Sequence, residues 1–252
     1  MVEGRSCRVR LILAHAALIG FLALVAVPLF MVVAISFRQG NFATGSIWPS
    51  ADTFSLEHWR MVLGLPVLQP DGTWLESSAP VLRWLWNSVK IAAVSAGLVL
   101  LLSSTCAYAF ARMKFRGREP LLSSLLILQM FPMVLAIIAI YSILETLGRW
   151  IPALGLDSHP GLILAYLGGI ATHIWIIKGY FDSLPISLEE SAAIDGATPW
   201  QTFRLIMLPA SLPIFAVVFI LAFIGLLGEY PLASVVLQRT DQWTLAVGAN
   251  SF

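Results

Sequence analysis

The sequence predicts an all-α, polytopic membrane bundle, and three observations carry that prediction. Hydrophobic residues make up 58% of the 252-residue chain against 12% charged, and the mean hydropathy is +0.85; a soluble domain of that composition would expose large apolar patches. Five apolar runs, at 11–37, 86–111, 121–147, 162–180 and 205–228, are close to or above the roughly 20 residues a helix needs to cross a bilayer. In hydrocarbon such runs must satisfy their own backbone hydrogen bonds, which leaves the helix as their structure.

The first run follows Arg5, Arg8 and Arg10 and far exceeds the roughly 7–15 apolar residues of a cleavable leader, so it is expected to stay as an anchor. Arg112, Lys114, Arg116 and Arg118 crowd the turn between the second and third runs, whereas Arg149 is the one Lys or Arg between the third and fourth. Because basic turns face the cytoplasm, the N-terminus, the 112–118 turn and the segment 182–209 are expected inside. Segment 38–83 and the chain beyond Gly228 are then expected outside, with Trp84, Trp86 and Trp150 at the outer interface. Segment 38–83 is too long for a simple turn and mixes Gly, Pro and Trp as a folded docking surface would. Its Trp48, Trp59 and Trp74 are expected to pack there.

Composition and motifs exclude several classes of function. A net charge of +1 leaves no excess to neutralise phosphates, so nucleic acid is not an expected partner. Cys7 and Cys106 are too few for a disulfide framework or a metal site. HExxH and GxSxG patterns are absent, as is a histidine spaced with carboxylates for metal binding, so neither an enzyme nor a cofactor is expected. A phosphate-binding P-loop needs Lys followed by Ser or Thr, and Lys90, Lys114 and Lys178 are followed by Ile91, Phe115 and Gly179. Any ATP that drives this chain is hydrolysed elsewhere. Within the spans, His15, Ser95, Gln129 and His173 are expected to hydrogen-bond between helices rather than to form an ion path. Pro132 and Pro209 are expected to bend or begin helices.

The most informative segment is EESAAIDGATPWQTFRLIMLP, residues 189–209. Pro185 should end the preceding helix, and Ser187 with Glu190 reads as a capping box that starts a short one. Gly196 is its natural stop, because glycine accepts the left-handed backbone that closes a helix. Thr198, Pro199 and Gln201 then form a second start. The segment reads as helix, glycine corner, helix, with the small side chains of Ser191, Ala192 and Ala193 expected outward beside Glu189, Glu190 and Asp195. Such a surface suits docking into a groove of another protein.

The same residues fall in the order Glu190-Ser191-Ala192, three residues, Gly196, nine residues, Ile206, one residue, Leu208-Pro209. That order resembles the EAA loop of permease subunits in binding-protein-dependent ABC importers, with Ser191 in place of the first alanine. The stretches SFRQGNFATGSIWP (36–49), WLWNSVK (84–90), TCAYAFARMKF (105–115) and IKGYF (177–181) are similar to the smaller permease subunit of importers for maltose and maltodextrins. The resemblance implies the type I importer bundle as a single permease domain over 1–252, in a bacterial inner membrane. It implies a larger homologous permease, two copies of a cytoplasmic ATPase and a periplasmic sugar-binding protein as partners, and membrane lipid around them. It carries a coupling role for Glu190, Ser191, Ala192, Asp195, Gly196, Ile206, Leu208 and Pro209 in the loop 182–209. It also carries contact with the binding protein for Thr240, Gln242, Trp243 and Thr244 in the outer loop 239–252. No sugar ligand is assigned, and Glu229 is expected to be a helix-end carboxylate rather than a gate. The family pattern has a sixth span, expected after Phe252. An ion-coupled carrier would instead predict about twelve spans with internal repeats, and would leave 189–209 without a role.

Overall fold

The computed structural model describes residues 5–40, 48–68, 72–75 and 79–251. Part of the stretch 36–49 and the last residue of the loop 239–252 therefore lie outside the described residues. The chain separates into two compact units, 1–81 and 82–252.

In the first unit, α1 (Arg5–Ser36) carries the first apolar run, and its side chains along 9–33 stand exposed, as a lipid-facing helix requires. After it, Arg38 bridges Phe54, and the Phe37 ring stacks against Phe54 and Trp59 with centroids 6.0 and 5.7 Å away. Helix α2 (Glu57–Val62) precedes a two-residue antiparallel pair, β1 (Val67–Leu68) with β2 (Trp74–Leu75), where Arg60 lies over the Trp74 ring. Trp59 and Trp74 make these ring contacts but stay exposed, and Trp48 is exposed as well, so the packing expected of the three tryptophans is only partial.

Among its described residues, the regular elements of the second unit are all helices. Helix α3 (Val81–Arg112) runs unbroken through the second apolar run, beginning five residues before it. The third run is divided into α4 (Arg118–Gln129) and α5 (Met133–Trp150), set 102° apart, with Pro132 at the break. The fourth is α6 (His159–Tyr166) and α7 (Ala171–Ser183), whose halves meet at 52° around Gly168 and Gly169. Next come α8 (Ser187–Ile194), α9 (Pro199–Thr202), a π-helical turn at Phe203–Met207, α10 (Leu208–Ala210) and α11 (Leu212–Leu227). Helices α12 (Pro231–Val236) and α13 (Leu245–Ala249) complete the order. Among the described residues, two helices are long and apolar enough to cross a membrane, and up to five crossings result if each bent pair counts as one. The sequence pattern located the runs, and Pro132 and Pro209 stand at or beside two of the three bends, as expected of them; the 52° bend in the fourth run had no proline to announce it.

The bend within the fifth run has a local cause. Pro209 has no N–H to give the Leu205 carbonyl, and its ring crowds that carbonyl. The backbone widens instead, and the Leu208 N–H donates to the Phe203 carbonyl across a π turn. Pro213 repeats the loss near the start of α11, and the axis turns by 76° at Ser211.

One buried cluster packs α3 to the later helices through Ala107, Tyr108, Ile177, Phe181, Phe203 and Phe215. Another joins Ile91 and Leu162 to Leu232, Val236 and Val247. The polar residues of the spans divide. Gln129 joins α4 to α7, donating to the Gly169 carbonyl at 3.4 Å and accepting from Thr172, as an interhelical role demands. Among the described residues, His15 bonds within its own helix, to the Leu11 carbonyl. Ser95 Oγ and His173 Nδ1 are buried without a hydrogen-bond partner among the described residues, contrary to the expected interhelical bonds.

Candidate functional site

Residues 182–211 form an elbow held on the Arg112 end of α3. Helix α7 stops at Ser183 because Leu184 must take an extended backbone before Pro185. The next helix, α8, starts where the sequence placed it, but by another device: the N–H groups of Leu188 and Glu189 donate to the carbonyls of Pro185 and Ile186. The expected Ser187–Glu190 capping box does not form, since Ser187 is already inside the helix and Ile186 stands at the cap.

The corner follows the prediction closely. Gly196 takes φ +81°, its N–H donates to the Ala193 carbonyl, and the Ala197 N–H reaches back to Ala192 at 2.9 Å. These two bonds make the Schellman closure that satisfies the end of α8. Thr198 Oγ1 accepts from the Gln201 N–H while Gln201 Oε1 accepts from the Thr198 N–H, the reciprocal capping box expected for α9. Both helix ends at the corner are thus hydrogen-bonded, which restricts the angle between them.

The face that α8 turns inward differs from the expected one. Ala192 is 5% exposed, whereas Glu190, Ser191, Ala193, Asp195 and Gly196 are open to solvent and Ile194 is 86% exposed. The reason lies at Glu189, three residues before Ala192 and so on the same helical face. Its Oε1 stands 2.6 Å from Arg112 Nε in a close ion pair, with side chains 17% and 12% exposed. The same guanidinium donates from Nη2 to the carbonyls of Phe181 at 2.7 Å and Leu184 at 2.9 Å, the two ends of the turn that leads into the elbow. Arg112 was legible only as one cation of a basic turn, and Glu189 as one of two acids. Their pairing across 77 positions is tertiary and left no local signal.

Further along, Tyr108 donates to the Pro199 carbonyl at 3.4 Å and packs its ring against Phe203 at 4.9 Å. Tyr180 donates to the Ala210 carbonyl at 3.2 Å. Ile206 and Leu208 are half-buried and Pro209 is exposed. Lys178 pairs with Asp182 one turn on at 2.7 Å.

A second constellation sits at the other end of α3, where residues 238–251 are docked rather than extended. Trp84 Nε1 donates to the Thr240 carbonyl at 2.7 Å, and Asn87 Nδ2 donates to the carbonyls of Asp241 and Trp243 at 3.1 and 3.0 Å. Ser88 Oγ accepts from the Leu245 N–H. Trp84 is 3% exposed and faces Trp243, so it is a core residue of this junction and not the interfacial residue expected; Trp86 and Trp150 are exposed. A Cβ on Gly248 would fall 2.1 Å from the Trp84 ring, so only glycine fits there. Of the predicted contact residues, Thr240 is exposed and Gln242 and Trp243 are half-buried. Thr244 is buried, its Oγ1 capping α13 by accepting from the Val247 N–H.

Asp157, at φ +57°, pins the start of this segment. Oδ1 accepts from the N–H groups of Gln238 and Arg239, both at 3.0 Å, and Oδ2 pairs with the Arg239 guanidinium. Partial burial pushes the Asp157 carboxyl upward, but the two backbone donors and the Arg239 charge outweigh it, and the net shift is below the ordinary carboxylate value. Glu229 accepts from the N–H groups of Leu232 and Ala233 at the start of α12 and from the Tyr166 hydroxyl, the helix-end role expected of it.

The model of the family described as "Binding-protein-dependent transport system inner membrane component" matches residues 99–251, which takes in the elbow and the docked segment together. The chain belongs to this family. It is a membrane permease component, and membership implies an ATPase and a substrate-binding protein as partners. Among similar proteins, the maltose/maltodextrin transport system permease protein MalG of Vibrio parahaemolyticus is 55% identical over 252 residues, covering 100% of this chain and 84% of the relative. The protein of the same description from Escherichia coli K12 is 54% identical with the same coverage. The fold is also that of a chain in the crystal structure of a bacterial ABC transporter involved in the import of the acidic polysaccharide alginate, with a TM-score of 0.75 at 23% identity. That match covers 100% of this chain and 82% of the other. The all-α importer-permease architecture expected from the sequence stands.

Proposed function

We propose that this permease is a membrane-spanning subunit of an ATP-driven importer of maltose and maltodextrins. In this reading it works beside a larger homologous permease, two copies of a cytoplasmic ATPase and a periplasmic sugar-binding protein. The observation that carries the substrate class is the 55% identity over the whole chain to a maltose/maltodextrin permease. The N-terminus and the elbow lie in the cytoplasm and the segment 238–251 in the periplasm, an orientation supported by the four cations at 112–118.

The elbow is the coupling element. Its exposed Glu190, Ser191, Ala193 and Ile194 form a small-residue surface with an apolar tip that suits insertion into a cleft of the ATPase, where Glu190 pairs with a cation. Asp195 flanks that surface, and Gly196 sets its angle. Ala192 acts from beneath, since a larger side chain there would lever α8 away from α3. Ile206, Leu208 and Pro209 fix the wide turn that hands motion on to α11. A doubly capped elbow transmits displacement that a loose loop would absorb. Closure of the ATPase dimer then rotates the helices on which the elbow is fastened. On the opposite side, Thr240, Gln242 and Trp243 present the docked segment to the binding protein, with Thr244 holding its shape.

Reconstitution with candidate ATPase, larger permease and binding protein tests this directly. Hydrolysis of ATP should rise when maltose-loaded binding protein is added. Uptake that continues without the ATPase and collapses with an ionophore would overturn the proposal.

A further inference from the structure

We infer that α3 is the rod that mechanically joins the two functional surfaces, with Arg112 and Asn87 as its grips. The inference rests on the coupling role proposed for the elbow and adds the path by which its movement crosses the membrane. Three observations meet in this one helix. At its last residue, Arg112 holds the elbow at three points: the carbonyls of Phe181 and Leu184 and the carboxylate of Glu189. Within its first two turns, Trp84, Asn87 and Ser88 hold the segment 240–245 through four hydrogen bonds. Between them the helix has no proline and no break, whereas the other three spans of the same unit are bent by 52° to 102°.

From Trp84 to Arg112 the axis extends about 42 Å at 1.5 Å per residue, close to a bilayer with its headgroup layers. A straight helix of this length moves as one body, while a bent pair absorbs displacement at its break. The grips differ in chemistry. Arg112 donates from one terminal nitrogen to two carbonyls while its charge pairs with a carboxylate beside Nε, a spread of contacts that the compact ammonium of a lysine cannot reproduce. Asn87 offers one amide nitrogen to two carbonyls of the tail, two residues apart, so it reports the position of the backbone and not of a single side chain. Both grips bind main-chain carbonyls, and any displacement of α3 therefore drags the whole elbow and the whole docked segment.

The test uses the full complex with its ATPase, larger permease and binding protein. Arg112→Lys, Arg112→Gln and Asn87→Leu are each assayed for ATP hydrolysis with and without maltose-loaded binding protein, and for ATP consumed per sugar imported. A helix that links the two surfaces predicts that each variant lowers the ratio of stimulated to basal hydrolysis by about tenfold. It predicts as well that the double variant Asn87→Leu/Arg112→Gln is no worse than the single ones, since both cut the same link. A merely structural role would reduce both rates in parallel and leave their ratio intact, which would overturn the inference, as would additive losses in the double variant. Crosslinking from Ser191→Cys in the otherwise unchanged chain separates the two levels. If that residue reaches the ATPase and the grip variants keep a normal ratio, the rod fails and the coupling elbow survives. If it never reaches the ATPase while uptake runs, the elbow fails and the rod with it.

Discussion

At the scale of single residues, the elbow depends on a few positions whose neighbours leave no substitute. Gly196 sits at φ +81°, where a β-branched residue costs about 1–2 kcal/mol and would reopen the Schellman closure. Gly196→Val should therefore insert normally but raise the ATP consumed per sugar several-fold in reconstituted vesicles. Glu189→Gln removes one partner of a pair with 17% and 12% exposed side chains. Loss of one member of a fully buried pair costs about 3–5 kcal/mol, and this pair, which keeps some contact with solvent, falls at or below the lower end of that range. The expected result is faster proteolysis within 182–198 while the span helices stay protected. At the opposite end, Asp157 makes a pH-sensitive latch. Because its carboxyl is held below the ordinary value of 3.8, its stabilising effect is present above that value and is lost as pH falls through the folded one. Amide exchange at Gln238 and Arg239 should lose protection in that acid range, and Asp157→Asn should be less protected at neutral pH and lack the acid step.

At the scale of elements, the two devices that the sequence showed clearly are local: the glycine corner and the Thr198–Gln201 box each lie within a few residues and need no distant partner. The start of α8 was placed correctly although its capping was not, since a carbonyl turn from Pro185 and Ile186 serves in place of Ser187. The inward turn of Ala192 was illegible because Arg112, 77 positions before Glu189, sets it. The π turn was half legible. Pro209 announced a disturbance, yet the choice of a widened helix over a break depends on Phe203 and Met207 being held in the core beside Tyr108. Pro209→Ala restores the missing N–H, so the turn should close to a regular helix. Cysteine pairs spanning 203 and 208 should then report a greater separation, because no i→i+5 bond draws the two together, and impaired coupling.

At the scale of the whole molecule, composition sufficed for the membrane assignment, and the positions of five apolar runs agree with the helices found, two straight and three bent. What composition could not convey was which of them stays straight and what holds its ends. Apolar residues tolerate a bend as well as a straight path, and the decision falls to prolines, glycines and polar anchors outside the runs. The docked segment 238–251 likewise read as a loop, since its polar side chains gave no hint that α3 binds its backbone. Gly248 carries that docking: Gly248→Ala would press a methyl group into the Trp84 ring and should release the segment, seen as proteolysis after Arg239 and loss of stimulation by the binding protein.

The claim that the elbow is driven by a separate nucleotide hydrolase is tested most directly from its outermost side chain, Ile194. A photoreactive residue placed there in membranes that are importing maltose should form an adduct with the ATPase, with a yield that changes between the nucleotide-free and ATP-bound states. Undiminished import with no adduct in either state would contradict it.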